Sequence, residues 1–351
     1  MRAASLQKNG SLPNNGLALF FEDKKKITTR INESIQLIGN TKIREASFHL
    51  FSAGGKMLRS SLVTTAYKAV GGQDTSKILS VAAAVELIHN WSLVHDDIVD
   101  KSIARRGAAT IHHKWDHNTA ILTGDALNNL VYLLIAKSGI SNELIGKLTE
   151  CASQANLELI DGELMDIELQ WKITIREKDY FEMINKKTAA LIKSAAKIGA
   201  MLGTDNEKFI NAIEVYGNKI GTAFQIKDDM LDLTGDEEET GKDFAGDIKE
   251  GKRTILLLHA LQNASYIEAK RLDEIVSGIH VKSDAIREAI DIIRQAGSFE
   301  YAQLLLTGLI QEAKESLVPL HQSPYVTALS ELAEFIGQPE AIKVEYPLYT
   351  I

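Results

Sequence analysis

Trp91-Ser92-Leu93-Val94-His95-Asp96-Asp97-Ile98-Val99-Asp100 runs from an apolar stretch into a tight carboxylate cluster, and the segment from Ala223 to Asp232 repeats the move with Asp228-Asp229-Met230-Leu231-Asp232. On an α-helix, residues i and i+4 share a face and lie about 6 Å apart along the axis. Asp96 therefore stacks beneath Asp100, and Asp228 beneath Asp232. Like charges so placed cost a helix a few tenths of a kcal/mol, and more when partly buried without compensation. Two such clusters at the ends of apolar helices call for a counter-ion. All-oxygen ligands on open helix faces suit Mg²⁺, which keeps waters and favours carboxylates together with substrate phosphates. A single Asp-Asp-x-x-Asp is as readily a solvated acidic helix end; the surrounding motifs decide against that here.

The pattern around the two clusters is helical throughout. Proline stands at 13, 319, 324, 339 and 347, so no helix-breaking ring interrupts the long stretch between the first two. Apolar residues recur with the helical period and without strand-like alternation. Helices are expected over 20–39, 42–53, 56–70, 75–100, 118–137, 141–170, 177–203, 206–234, 253–262, 265–278, 283–296, 298–317 and 326–336. Thr75-Ser76 offers an N-cap to the one carrying Asp96, and glycines at 71, 72, 107, 139, 203, 235 and 251 mark joints. No regular repeat and no linker divides the chain. Two aspartate helices so far apart in sequence must converge to share one bound ion, which favours a single large all-α bundle around a central cavity. The expected organisation is a short disordered tail over 1–18 followed by one domain over 19–351.

Composition bounds the function. The 351 residues carry a net charge of −8, with 45% hydrophobic and 25% charged side chains, which is ordinary for a globular chain and argues against nucleic acid as a main partner. Cys151 is the only cysteine, so no intramolecular disulfide can form and a reducing, cytoplasmic setting is expected. The run Ile78 to Ile88 is too short to span a membrane and is broken by Glu86.

Basic residues accompany the carboxylates. Arg105-Arg106 follows the first cluster, and adjacent guanidinium groups suit bidentate phosphate recognition. Lys56 and Arg59, at i and i+3 beside a helix start, point one way towards helix-terminal N–H groups that favour anions. His89 lies seven residues before Asp96, two turns along the same face. Lys186-Lys187-Thr188 interrupts a helix otherwise rich in Ala, Leu and Ile. The segment from Gly235 to Arg253, with Lys242 and Lys252, reads as a flap able to bring cations over bound phosphates. Taken singly, each of these is more commonly a solvated surface or a satisfied core residue.

In combination they resemble the trans-isoprenyl diphosphate synthases (polyprenyl synthetases) over roughly residues 40 to 265. The matching segments are GGKMLR, ELIHNWSLVHDDIVDKSIARRG, TGDAL from Thr123, DGELMD, KTAAL, FQIKDDMLDLTGDEEETGKDFAGD and EGKRT. Departures are Met57 where the family often has Arg, Ala109 where it often has Pro, and Glu163 where it often has Gln. The resemblance implies an all-α fold of the isoprenoid synthase type and a homodimer. It also implies about three Mg²⁺ ions per active site, with Mn²⁺ as a substitute. Asp96, Asp100, Asp228 and Asp232 would hold the metals, with Asp97 rotated about 100° away in a supporting or weaker ligand role. Arg105, Lys187, Thr188, Gln225, Lys242 and Lys252 would take the allylic diphosphate. Lys56, Arg59, His89 and Arg106 would take isopentenyl diphosphate. Trp91 and Ser92 would set product length, and the small Ser92 favours geranylgeranyl over farnesyl diphosphate, with longer chains as an alternative. A terpene cyclase needs no second diphosphate pocket, so the Lys56, Arg59, His89 and Arg106 set speaks against it. A non-catalytic helical partner would be expected to have lost aspartates, and a di-iron bundle needs a second Glu-x-x-His beyond Glu86–His89, which is missing.

Overall fold

The structure, a computed structural model, describes residues 15–172, 175–234, 244–278 and 282–338. Its first half comprises α1 (Asn15–Phe20), α2 (Lys24–Ile35), α3 (Thr41–Ser52), α4 (Leu58–Ala69), α5 (Leu79–Val99), α6 (Ile111–Lys114), α7 (His117–Ala136) and α8 (Asn142–Leu169). The second half follows with α9 (Glu177–Ile184), a π turn (Asn185–Ala189), α10 (Ala190–Gly203), α11 (Glu207–Thr234) and α12 (Gly246–Glu250). It closes with α13 (Ile255–Asn263), α14 (Tyr266–Val276), α15 (Ser283–Gln295), α16 (Ser298–Ser316) and α17 (Pro324–Gly337). The only sheet among the described residues is a hairpin of β1 (Ala104–Arg105) and β2 (Ala108–Ala109).

Helix starts follow side-chain chemistry. Asn40, Asp116, Ser141 and Ser323 each accept a hydrogen bond from the backbone N–H three residues on, satisfying a donor with no intrahelical partner. Ser265 and Glu268 form a reciprocal capping box at α14, and Pro324 opens α17, where its missing N–H costs nothing. One expected cap is displaced. Thr75 to Lys77 forms a separate 3₁₀ turn capped by Asp74, whose carboxylate accepts from Ser76 N at 2.9 Å, and α5 begins only at Leu79. The Ser76 hydroxyl is itself taken up by the Asp74 carboxylate at 2.9 Å and so is not free to cap α5.

The core forms where α5 packs along α7, α10 packs against both α4 and α11, and α11 also meets α16. Alanines at 82–84, 195 and 196 are buried at these seams and let the backbones approach. Leu62, Leu87, Leu127 and Ile213 fill the gaps, each side chain contributing about 2 kcal/mol by leaving water. Helix α7 is long and apolar enough to cross a membrane. Here it is a core helix, with Ala120, Leu127, Val131 and Ile135 buried.

The tail boundary shifts. Residues 15–18 are not tail but the first turn of α1, where Leu17 and Phe20 are buried and Gly16 N donates to Glu331 Oε2 on α17 at 3.1 Å. A single helical turn carries too little periodicity to be read from sequence.

Candidate active site

Helices α5 and α11 end on opposite sides of one cavity of about 770 Å³. Asp96 and Asp100 line it from α5, and Asp228, Asp229 and Asp232 from α11. Burial, with Glu163 close by, pushes the Asp96 carboxyl up to about 7 against the pull of Lys187 and Arg105. Burial likewise pushes Asp229 up to about 7, and burial with Asp232 beside it drives Asp247 well above the usual carboxylate range. Carboxyls held this far from their ordinary values are short of positive charge, so the donor set fits divalent cations. Among the described residues no three acidic, His or Cys side chains converge on a single point. Oxygens from a ligand must therefore complete any metal shell, as Mg²⁺ sites commonly arrange.

Individual aspartates differ. Asp97 is turned out of the cavity: it is 3% exposed and accepts from Arg105 Nε at 2.6 Å, which fixes the Arg105 side chain. Asp229 accepts from Tyr180 Oη at 2.7 Å and from Gln225 Nε2 at 2.8 Å. Gln225 Oε1 in turn accepts from Thr188 Oγ1 at 2.6 Å. Gln225 is thus a bridge from the π turn to the second cluster. Asp232 accepts from Gly246 N and Asp247 N, both at 3.1 Å, and so starts α12.

The basic groups fall into two sets. Lys56, Arg59, His89 and Arg106 line one part of the cavity. Arg106 and Gly107 have φ of 53° and 72° and form the two-residue loop of the hairpin, with Arg105 opposite Ala108. A type I′ connection needs positive φ at both places. That twist carries the Arg106 guanidinium across to donate to Gly54 O, latching the hairpin to the loop before α4. Burial lowers Arg59 to about 10 although Glu86 opposes the shift, and its Nε is buried without a hydrogen-bond partner. Burial, followed by Arg59 and Arg106, keeps His89 well below its ordinary value, so it enters the pocket neutral. An anion is the group this corner lacks.

The second set is already paired. Lys187 Nζ lies 2.6 Å from Asp166 and 2.9 Å from Glu163, and these carboxylates outweigh burial in raising its pKa. Lys252 Nζ lies 2.6 Å from Glu250 and 3.7 Å from Asp247. The π turn carries Lys187 and Thr188 into the cavity. It is pressed from both sides by bare backbone. A Cβ on Gly162 of α8 would lie 2.2 Å from Lys187 N, and one on Gly221 of α11 would lie 2.6 Å from Ala189 Cα.

One expectation needs amendment. Trp91 is 7% exposed and packs edge-on against His95 at 5.9 Å, outside the cavity lining, whereas Ser92 lines it. The helix wheel explains this, since a residue five before Asp96 lies far around from it. Lys242, and with it the flap proper at 235–243, lies outside the described residues. Asp166, Tyr180 and Asp247 were not singled out from the sequence, and Glu86 was weighed only as part of a di-iron element. Asp166 sits in DGELMD, and Glu86 at i−3 of His89 is a helical neighbour, so spacing alone offered a signal for these two.

The sequence model of the polyprenyl synthetases matches residues 40–293. A short chain isoprenyl diphosphate synthase of Methanothermobacter thermautotrophicus is 40% identical over 311 residues, 89% of this chain and 94% of the relative. The crystal structure of a geranylgeranyl pyrophosphate synthetase from Pyrococcus horikoshii superposes with a TM-score of 0.86 at 38% identity, covering 92% of this chain and 98% of that one. A polyprenyl synthase from Caulobacter crescentus, complexed with calcium and isoprenyl diphosphate, also gives 0.86 at 29% identity, covering 95% of this chain and 99% of that one. With an all-α fold of the same shape, and with a carboxylate-lined cavity flanked by two cationic sets, the chain belongs to the polyprenyl synthetase family and is a trans-prenyltransferase.

Proposed function

We propose that this enzyme condenses isopentenyl diphosphate with allylic diphosphates and makes geranylgeranyl diphosphate. The observation that carries the reading is that one cavity is lined both by carboxylates with paired lysines and by Arg59, whose buried Nε has no hydrogen-bond partner. Asp96 and Asp100 on one side and Asp228 with Asp232 on the other would hold Mg²⁺, which would supply the charge that stabilises pyrophosphate as it leaves.

The chain's own groups do the rest. Arg105, aimed by Asp97, and Lys187 with Lys252 grip the allylic diphosphate, and the flap residue Lys242 is assigned to the same task by resemblance. These cations stabilise charge most where it develops on the departing oxygen. The Thr188 hydroxyl and the Gln225 carbonyl face the allylic carbon and tolerate its positive charge. Lys56, Arg59 and Arg106 hold the acceptor diphosphate, and neutral His89 donates an N–H to it. The acceptor double bond attacks the allylic carbon, and the proton released passes to the departing pyrophosphate, so no protein base is required.

Ser92 leaves the cavity open below the first cluster, which favours geranylgeranyl over farnesyl diphosphate; the growing chain runs towards the start of α5. A homodimer is supported by an unpartnered apolar stripe on α8, where Leu157, Ile160 and Leu164 are exposed at i, i+3 and i+7, beside exposed Ile121 and Leu122 of α7. Incubation with isopentenyl diphosphate, each allylic primer and Mg²⁺, followed by product chromatography, tests the reading. Geranylgeranyl diphosphate as the main product supports it, and a cyclised hydrocarbon or no condensation overturns it.

A further inference from the structure

One side chain, Asn185, ties the start of the π turn to both α9 and α11. Ala190 N reaches back five residues to Asn185 O, the wider ladder that sets the turn apart from α9 and α10. Such insertions in a helix are strained and cluster at functional sites. Asn185 stands at the first position of the turn and engages both ends of its amide. Its Nδ2 donates to Phe181 O at 2.6 Å, giving a carbonyl in the last turn of α9 a second donor. Its Oδ1 accepts from Asn218 Nδ2 at 3.3 Å and lies 3.0 Å from Thr222 Oγ1, whose one proton is shared with Asn218 O at 3.1 Å. Asn218 and Thr222 are on α11, the helix that bears Gln225, Asp228 and Asp229. Thr222 lies one turn before Gln225, which is itself bonded to Thr188 of the π turn.

We propose that Asn185 is a positioning residue for prenyl transfer: it pins the π turn to α11, so that Lys187 and Thr188 keep their place opposite the second aspartate cluster. Asn185 does not line the cavity and touches no substrate; it acts through the two residues that follow it. The Gln225–Thr188 bond pins the turn at a second point, but it lies on the ligand side, among the residues that line the cavity. The inference rests on the assignment of Lys187 and Thr188 to the allylic diphosphate.

The test compares Asn185→Ala with Tyr216→Phe, which removes an equally short bond from α11 to Leu329 O, 2.6 Å, on a buried side of the helix. Turnover, the KM for each substrate and backbone amide exchange over residues 186–189 are measured on the full chain. For Asn185→Ala the expected result is a fall in kcat of about tenfold or more, on the scale of losing orientation at a reacting group. The KM for isopentenyl diphosphate stays within about twofold, and amides 186–189 exchange at least about tenfold faster. Tyr216→Phe should leave the kinetic pattern and these amides unchanged. If Asn185→Ala does not fold, Thr222→Val, which loses one hydroxyl at nearly constant shape, should lower kcat and speed exchange by smaller factors, with the KM for isopentenyl diphosphate again unchanged. Unaltered exchange, an equal rise in both KM values, or the same effects from Tyr216→Phe would overturn the proposal. Faster exchange at 186–189 with an unchanged kcat would instead break the link between Lys187 and the reaction, and so separates a failure of the site assignment from a failure of the clamp.

Discussion

Replacing Gly162 by Ala adds one carbon where there is no room for it. The new Cβ would lie 2.2 Å from Lys187 N, 2.6 Å from Lys187 Cα and 2.7 Å from Lys186 C, whereas ordinary contact begins at 3.4 Å. Helix α8 and the π turn must therefore part by about 1.2 Å, the difference between 3.4 and 2.2. All three neighbours are backbone atoms, so no rotamer change relieves the clash. A displacement of ~1 Å at a reacting group costs on the order of a hundredfold in rate. The same motion stretches the 2.6 Å contact between Lys187 and Asp166. Overpacking of this kind costs ~1–3 kcal/mol of stability, less than the ~5–15 kcal/mol that holds a typical domain folded, so the variant should fold. Steady-state condensation of an allylic primer with isopentenyl diphosphate should fall about a hundredfold, with thermal unfolding still cooperative. Gly308→Ala on the exposed side of α16, where a Cβ meets nothing within 4 Å, should retain full activity. A folded Gly162→Ala enzyme within about threefold of wild-type turnover would refute the claim that this contact sets the position of Lys187.

Asp96→Ala should lose at least about a hundredfold in turnover, and a chelator in excess should abolish activity until Mg²⁺ or Mn²⁺ is restored; full turnover in chelator contradicts the metal assignment. Arg59→Ala should raise the KM for isopentenyl diphosphate more than that for the primer, and Lys187→Ala should do the reverse or slow ionisation, as kinetics with each substrate varied in turn will show. Ser92→Phe should shorten the product by filling a packed cavity, while Trp91→Ala, whose side chain lies outside the lining, should leave chain length alone; product chromatography reads both. For pH, the rise of Asp96 from 3.8 to about 7 by burial and Glu163 means the folded state binds the proton more tightly than the unfolded chain. Its contribution to stability is complete below 3.8 and is lost as pH climbs through 7, a difference of ~4 kcal/mol at most. Without metal, Asp96→Asn should therefore raise the melting temperature at pH 8 and much less at pH 5; an equal shift at both would disprove the linkage.

Long periodic helices were legible in the sequence because three or more turns repeat the same apolar face. Expected and observed spans for α7, α8 and α11 differ by only a residue or so at each end. What escaped was short or relational. The hairpin at Ala104–Ala109 has too few residues for alternation to show, and α1 is a single stretch of six. Within the site, the stacking of Asp96 on Asp100 follows from helix geometry, as does the rotation of Asp97 away from them. The pairing of Lys187 with Asp166 and Glu163 does not follow, because it depends on how closely α8 approaches the π turn. That approach is set by Gly162, whose significance is the missing side chain. Gln225 and Asp229 were readable as polar and acidic, but their mutual engagement with Tyr180 and Thr188 arises only when three helices meet.

The pairing of the two cavity lysines with carboxylates has a consequence for what the enzyme accepts. Lys187 and Lys252 each have an anion of the protein's own within 2.6 Å. A bare diphosphate arriving without cations must break these contacts and leave Asp166 and Glu163 unneutralised where they are largely buried, which is unfavourable. A diphosphate that arrives already escorted by divalent ions brings positive charge for the acids along with negative charge for the lysines, and the exchange is balanced. The resting site therefore discriminates by the net charge of its cargo before it discriminates by shape. Free inorganic anions in the surrounding solution, abundant but unescorted, find Lys187 and Lys252 taken.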